Sequence, residues 1–117
     1  MTVNQVIELL KCEVIVGSEE QMQSEVSTIG ASDMMSDILA LSQPGMLVIT
    51  GHTSPQAVRT GVVTDLLGMI IARGKQIPQD TIDLAVKHGF LLLKTQYGMF
   101  TSCGILFRAG CRGGDEA

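Results

Sequence analysis

The chain is poor in aromatic side chains: it has no tryptophan, and Phe90, Tyr97, Phe100 and Phe107 all fall in its C-terminal quarter. Without rings distributed along the sequence there is no stacking platform for single-stranded nucleic acid. Basic charge is also scarce. Eight Lys and Arg against twelve Asp and Glu leave a formal net charge of −4, which repels polyphosphate backbones. Cys12, Cys103 and Cys111 form no C-x-x-C pair, and no closely spaced histidine completes a zinc tetrad. The thiols are therefore read as reduced, and no metal or other cofactor is expected. No stretch approaches the roughly 18 uncharged apolar residues of a membrane helix, and no basic region followed by a long apolar run opens the chain. The expectation is a cytoplasmic protein that engages neither membrane nor nucleic acid. The P-loop pattern G-x-x-x-x-G-K-[ST] and the nucleophile elbow G-x-S-x-G are both absent, which excludes a P-loop kinase and a serine hydrolase of that type.

What is present is apolar material, 45% of 117 residues against 17% charged, enough to fold one domain and too short for two. Thr2 and Gln5 have capping-box spacing ahead of Val3, Val6, Ile7, Leu9 and Leu10, which predicts a first helix. Cys12 to Val16 reads as a strand, Ser18 to Ser24 as an exposed loop, and Val26 to Ala31 as a second strand. Asp33 or Ser36 caps a helix running through Leu41. From Met46 the pattern becomes regular, with apolar runs at 46–49, 69–72 and 90–93, each followed by a helix long enough for a crossover. Ser54-Pro55 opens a helix through Leu67; Ile77-Pro78 and Gly89 bracket another. The fold class expected is a single three-layer α/β domain, a mainly parallel sheet of about five strands flanked by helices. It should span residues 1–110, with 111–117 a flexible C-terminal tail.

Ligands in open parallel sheets bind beyond the carboxyl ends of the strands. The segments there are Thr50, Gly51, His52, Thr53 and Ser54 after the first run, Arg73 to Lys75 after the second, and Lys94 to Tyr97 after the third. Hydroxyls, free amides at the Ser54 helix start and the cations Arg73, Lys75 and Lys94 compose an anion cradle for phosphate or carboxylate. Helix capping accounts for the same loop residues without any ligand. His52 lies between hydroxyls as a base would, yet no carboxylate is arranged to orient it. Asp33 and Asp37 have a spacing that suits a metal or acid–base work, but N-capping by Asp33 and the positive helix end beside Asp37 explain them more economically. The last helix carries Met99, Phe100, Cys103 and Phe107, more apolar surface than one sheet contact needs; it either forms a subunit interface or is sandwiched within its own fold.

The segments ASDMMSDILA (31–40), PGMLVITGHTSPQAV (44–58), MIIARGKQIPQDTIDLA (69–85) and LLLKTQYGMFTSCGILF (91–107) together resemble the DRTGG domain family, which is related to the N-terminal domain of bacterial HPr kinase/phosphorylase. The resemblance runs from Thr2 to Gly110. No literal D-R-T-G-G occurs; Arg59-Thr60-Gly61 is a fragment of it inside a helix, and the loop that relatives often begin with Asp-Arg reads His52-Thr53-Ser54 here. The resemblance implies a non-enzymatic regulatory or accessory module that forms homodimers and binds a partner protein or larger enzyme complex, and it brings no catalytic residue. The alternative is a sensor for a nucleotide or other phosphate-bearing anion at the strand ends.

Overall fold

In the computed structural model, which describes residues 1–115, the Thr2 hydroxyl accepts from the Gln5 amide at 3.3 Å while the Gln5 side chain takes the Thr2 N–H at 2.8 Å. This capping box opens α1 (Val3–Leu10), which buries Val3, Val6 and Leu10 and stops where Lys11 enters the left-handed region at φ 52°. After β1 (Glu13–Val16), Ser18 and Gln21 repeat the capping box and open α2 (Glu19–Met22), a single turn where the polar sequence predicts a loop. That turn buries nothing, so no apolar periodicity announces it. The chain continues through β2 (Thr28–Ala31), α3 (Met35–Leu41), β3 (Met46–Thr50), α4 (Pro55–Val63), β4 (Gly68–Ile71), α5 (Gln79–His88), β5 (Leu91–Lys94) and α6 (Met99–Arg108).

Two boundaries follow from backbone competition. α4 ends at Val63 instead of reaching Leu67: the Thr64 hydroxyl donates to the Thr60 carbonyl at 2.8 Å, and Asp65 turns left-handed at φ 58°. The Leu66 amide then folds back to the Gly61 carbonyl, and the Leu67 amide joins the Met46 carbonyl at 2.9 Å, where sheet pairing begins. α5 ends as read, with Gly89 left-handed at φ 59°.

The sheet order is β1-β5-β4-β3-β2. β2 to β5 pair in parallel, but β1 runs antiparallel to β5, with a register shift between Val14 and Val16. The sheet is thus mixed and not mainly parallel as expected. β1 is an edge strand of the sheet: Glu13 and Val14 at its start are exposed on their opposite faces, and Ile15 and Val16 are half-buried. The three central strands are buried on both faces. Met46, Val48, Met69, Ile71 and Leu92 pack with Ile38, Val58, Ala85 and Phe90 from the α3, α4 and α5 side. Leu47, Ile49, Ile70, Leu91 and Leu93 pack with Val3, Val6, Leu10 and Leu106 from α1 and α6. Gly61 of α4 lies against the Phe90 ring so closely that a β-carbon there would sit 2.4 Å from its Cζ atom.

Of the segment expected as a tail, residues 111–115 lie beside β2. The Ile29 amide donates to the Arg112 carbonyl at 2.9 Å and the Gln43 side-chain amide to the Gly114 carbonyl at 3.0 Å. Residues 116 and 117 lie outside the described residues. Among the described residues no helix is long and apolar enough to cross a membrane.

Candidate functional site

Because β2 to β5 are parallel, their carboxyl ends open on one rim, and the loops leaving them are held to each other by hydrogen bonds. The buried Thr50 hydroxyl accepts from the His52 amide at 3.2 Å, which turns the chain sharply after β3. The Gly51 amide donates to Asp33 Oδ1 at 2.6 Å, and Lys75 Nζ donates to the Gly51 carbonyl at 2.9 Å. Gly51 is therefore gripped by an anion on one side and a cation on the other. A β-carbon there would lie 2.9 Å from both Asp33 Oδ1 and Lys75 Nζ, the ends of two flexible side chains that would have to shift to admit it.

Asp33 is absent from the residues that the sequence pattern places at the rim. It reads as a helix cap, but Met34 is the residue ahead of α3 and no side chain caps that helix. The signal that locates Asp33 is its place directly after a parallel strand. Asp37 accepts instead from the Ser32 hydroxyl at 3.3 Å, so the two carboxylates serve different partners. Among the described residues no group of three or more His, Cys, Asp or Glu side chains is arranged to hold a metal ion.

The neighbouring loops are latched in the same way. Arg73 and Gly74 are successive left-handed residues at φ 63° and 61°, and their amides donate to the Tyr97 and Thr95 carbonyls, each at 2.8 Å. A β-carbon on Gly74 would fall 2.2 Å from Gln96 Oε1. The buried Thr95 hydroxyl donates to the Leu10 carbonyl at 2.7 Å, tying the end of α1 to the rim, and the Thr81 hydroxyl donates to the Thr53 carbonyl at 2.7 Å. Ser54 precedes α4 but makes no side-chain cap bond. Thus 50–54, Arg73 and Lys75 come together in adjacent loops with Asp33. Lys94 stands apart: it ends β5, two strand spacings or about 10 Å from β3, opposite Glu13 of β1. The His52 ring makes no hydrogen bond among the described residues, so nothing there prepares it as a base.

The arrangement differs from an open anion cradle in one respect. Asp33 already occupies the Gly51 amide, and Lys75 spends one donor on the Gly51 carbonyl. What remains for a ligand is the exposed Arg73 guanidinium, the other Lys75 donors and the Ser54 hydroxyl, next to a carboxylate that accepts from hydroxyl or amine groups.

Leaving the rim after β5, α6 packs beside α1 on one face of the sheet and divides its apolar residues between two faces. Leu106 and Ser102 are buried, while Met99 and Cys103 are half-buried against the same core cluster. Phe100 is 90% exposed and Phe107 56% exposed, with the Arg112 guanidinium 4.6 Å above the Phe107 ring. Burial pushes the Cys103 thiol upward and raises Cys12 to about 12. Burial also raises Cys111, an effect that the N-terminal amine and Arg112 oppose. A groove of about 570 Å³ runs along β2 between α3 and residues 114–115 and reaches the rim at Ser32 and Asp37.

The DRTGG domain model matches residues 5–109. The solved CBS and DRTGG domains of the regulatory region of Clostridium perfringens pyrophosphatase, complexed with the activator diadenosine tetraphosphate, superpose on the chain with a TM-score of 0.73 at 16% identity. The match covers 90% of this chain and 45% of that one, so the chain spans less than half the length of that neighbour, and the likeness is one of fold. No curated protein matches in sequence. With nearly its whole length accounted for by the one model, the chain belongs to the DRTGG domain family.

Proposed function

We propose that the chain is a non-catalytic regulatory module that works by pairing with a second copy and docking a partner protein through α6. The observation that carries this reading is Phe100, held in mid-surface at 90% exposure on a helix whose other face already serves the core. Covering one such ring is worth about 1.5–3 kcal/mol. A regulatory role accords with the fold neighbour, which is part of a regulatory region, and with the kinship to the HPr kinase/phosphorylase N-terminal domain that the quoted segments suggest. Three free thiols held protonated by burial suit a cytoplasmic setting. Light scattering during size exclusion tests the pairing: a dimer gives twice the 12.5 kDa chain mass, and a 12.5 kDa species at several hundred micromolar refutes it.

A second reading places a nucleotide or other phosphate-bearing anion at the rim. It is favoured by the convergence of Arg73, Lys75, His52 and Ser54 on one side of the sheet, and by the diadenosine tetraphosphate carried by the fold neighbour. A bound ligand raises the melting temperature by mass action. Diadenosine tetraphosphate, ATP, AMP and inorganic phosphate are the probes. A rise that disappears in Arg73→Ala and Lys75→Ala supports the reading, and a melting temperature unmoved by all four removes it.

A further inference from the structure

Asp33, Lys75 and Arg73 meet at the rim with none of their charges neutralised: no ion pair joins any of them to another described residue. Asp33 Oδ1 and Lys75 Nζ both reach Gly51, the first at its amide and the second at its carbonyl, and each lies 2.9 Å from where a β-carbon of Gly51 would stand. An acceptor-only anion and a donor-only cation thus flank one bare α-carbon without closing on each other. Both keep capacity in reserve: the carboxylate takes one hydrogen bond of about four, and the ammonium gives the protein one of its three donors. Arg73 adds a second cation beyond them. Its Cγ lies 3.7 Å from where a β-carbon of Gly98 would stand, so its stem crosses the start of α6, on the side of Lys75 away from Asp33. From the β2 end of the rim to the β5 end the charges run minus, plus, plus.

We infer that the rim binds a phosphorylated sugar, with the phosphate on Arg73 and Lys75 and a sugar hydroxyl bridging Lys75 and Asp33 across Gly51. This rests on the rim reading above and narrows its ligand. A group between Asp33 and Lys75 must donate to the one and accept from the other at the same atom, and a hydroxyl does both. A phosphate oxygen has no proton for Asp33, and an ammonium has no lone pair for Lys75. Asp33 is what makes the narrowing necessary. Two cations alone would take any phosphate, whereas a carboxylate beside them repels a bare anion and turns favourable only when the ligand brings a hydroxyl. Ribose 5-phosphate, free or as part of a nucleotide, carries both groups.

The loops hold these groups in place before any ligand arrives. Gly51 is held from both sides by Asp33 and Lys75, and the Arg73 and Gly74 amides are bonded to the Tyr97 and Thr95 carbonyls, each at 2.8 Å. The backbone therefore loses little freedom on binding, and the side chains still to be ordered are those of Arg73 and Lys75. Asp33 and Arg73 are exposed and Lys75 is half-buried, so water competes for each contact, and the hydroxyl contact should read as a preference of about tenfold.

The experiment measures dissociation constants on the full chain by calorimetric titration with ribose 5-phosphate, AMP, 2′,3′-dideoxy-AMP and inorganic phosphate. Ribose 5-phosphate and AMP should bind, and dideoxy-AMP and inorganic phosphate should be weaker by about tenfold. Either order between ribose 5-phosphate and AMP supports the inference, and the order tells a free sugar phosphate from a nucleotide as the source. Asp33→Asn keeps an oxygen for the Gly51 amide and removes the charge. It should weaken ribose 5-phosphate and AMP and tighten inorganic phosphate, opposite signs that a merely structural role of Asp33 does not produce. Hydrogen exchange at Gly51, unchanged in that variant, shows the loop intact, and the wild-type comparison of AMP with its dideoxy form decides the matter without any variant. Dideoxy-AMP binding as tightly as AMP, or inorganic phosphate as tightly as ribose 5-phosphate, overturns the hydroxyl contact while leaving an anion at the rim. A chain that binds none of the four at millimolar concentration overturns the rim reading together with the inference.

Discussion

Gly61 and Gly104 are both helix-interior glycines, and the structure assigns them opposite responses to the same substitution. Replacing a helical glycine by alanine in free space gains about 0.5–1 kcal/mol, because the unfolded chain loses freedom and the helix gains propensity. At Gly104 the new methyl meets nothing within 4 Å, so Gly104→Ala should be more stable by about that amount. At Gly61 the methyl carbon would stand 2.4 Å from Phe90 Cζ and 2.8 Å from Cε1. Phe90 is 5% exposed and packed among Val58, Ala85 and Leu92, so the ring gives way only by disturbing that cluster. Overpacking of this kind costs about 1–3 kcal/mol, which set against the helix gain leaves Gly61→Ala less stable by up to about 2.5 kcal/mol. In a chain of this size that is a fall in melting temperature of about 4 °C per kcal/mol. Urea denaturation of both variants, read by circular dichroism, gives the two signs directly. Phe90→Leu supplies the cycle: shortening the ring should remove most of the Gly61→Ala penalty, so the double variant is more stable than the sum of the singles. A Gly61→Ala protein as stable as wild type, or a penalty untouched by Phe90→Leu, would refute the close-approach account.

Thr95→Val keeps the shape of a buried side chain but removes the hydroxyl that bonds the Leu10 carbonyl at 2.7 Å and accepts from the Tyr97 amide. The urea midpoint should fall by the equivalent of about 1–3 kcal/mol, and an unchanged midpoint would mean that the link between α1 and the rim contributes nothing. Cys12 governs the alkaline limb. Its thiol sits at about 12 in the folded chain and 9.0 unfolded, so above pH 9 the unfolded state releases its proton first and stability declines until about pH 12. Cys12→Ala should flatten the melting-temperature profile between pH 9 and 11, and a profile as steep as wild type would assign the decline to other groups. Asp33→Ala leaves the Gly51 amide without its acceptor and should speed hydrogen exchange at Gly51 while the amides of β4 stay protected; unaltered exchange at Gly51 would show the contact to be incidental.

The central sheet is legible because its signals are local. Four-residue apolar runs bounded by Ser54-Pro55, Ile77-Pro78 and Gly89 delimit β3, β4 and β5 with their helices, and the strand-end rule then brings 50–54 and 73–75 to one rim. What is not legible depends on distance. β1 reads as a strand, but its direction follows from the left-handed turn at Lys11, which no periodicity records. Leu66 and Leu67 extend the apolar pattern of α4 although they belong to the connection into β4, so the helix reads four residues too long. Asp33 before a helix has every local mark of a cap, and its bond to an amide 18 positions later leaves no trace nearby. On α6 the residue pattern identifies an apolar surplus, and only the fold separates the half-buried Met99 and Cys103 from the exposed Phe100 and Phe107.

The two margins of the sheet carry a consequence for assembly. An unprotected outer strand is a template on which a further chain can lay itself down, and unwanted fibres begin that way. Here β1 is four residues long and broken by its register shift, and the opposite margin at β2 is occupied by the chain's own residues 112–114. Growth by adding strands is discouraged on both sides, which leaves the helix-covered faces as the parts of the molecule still open to another chain.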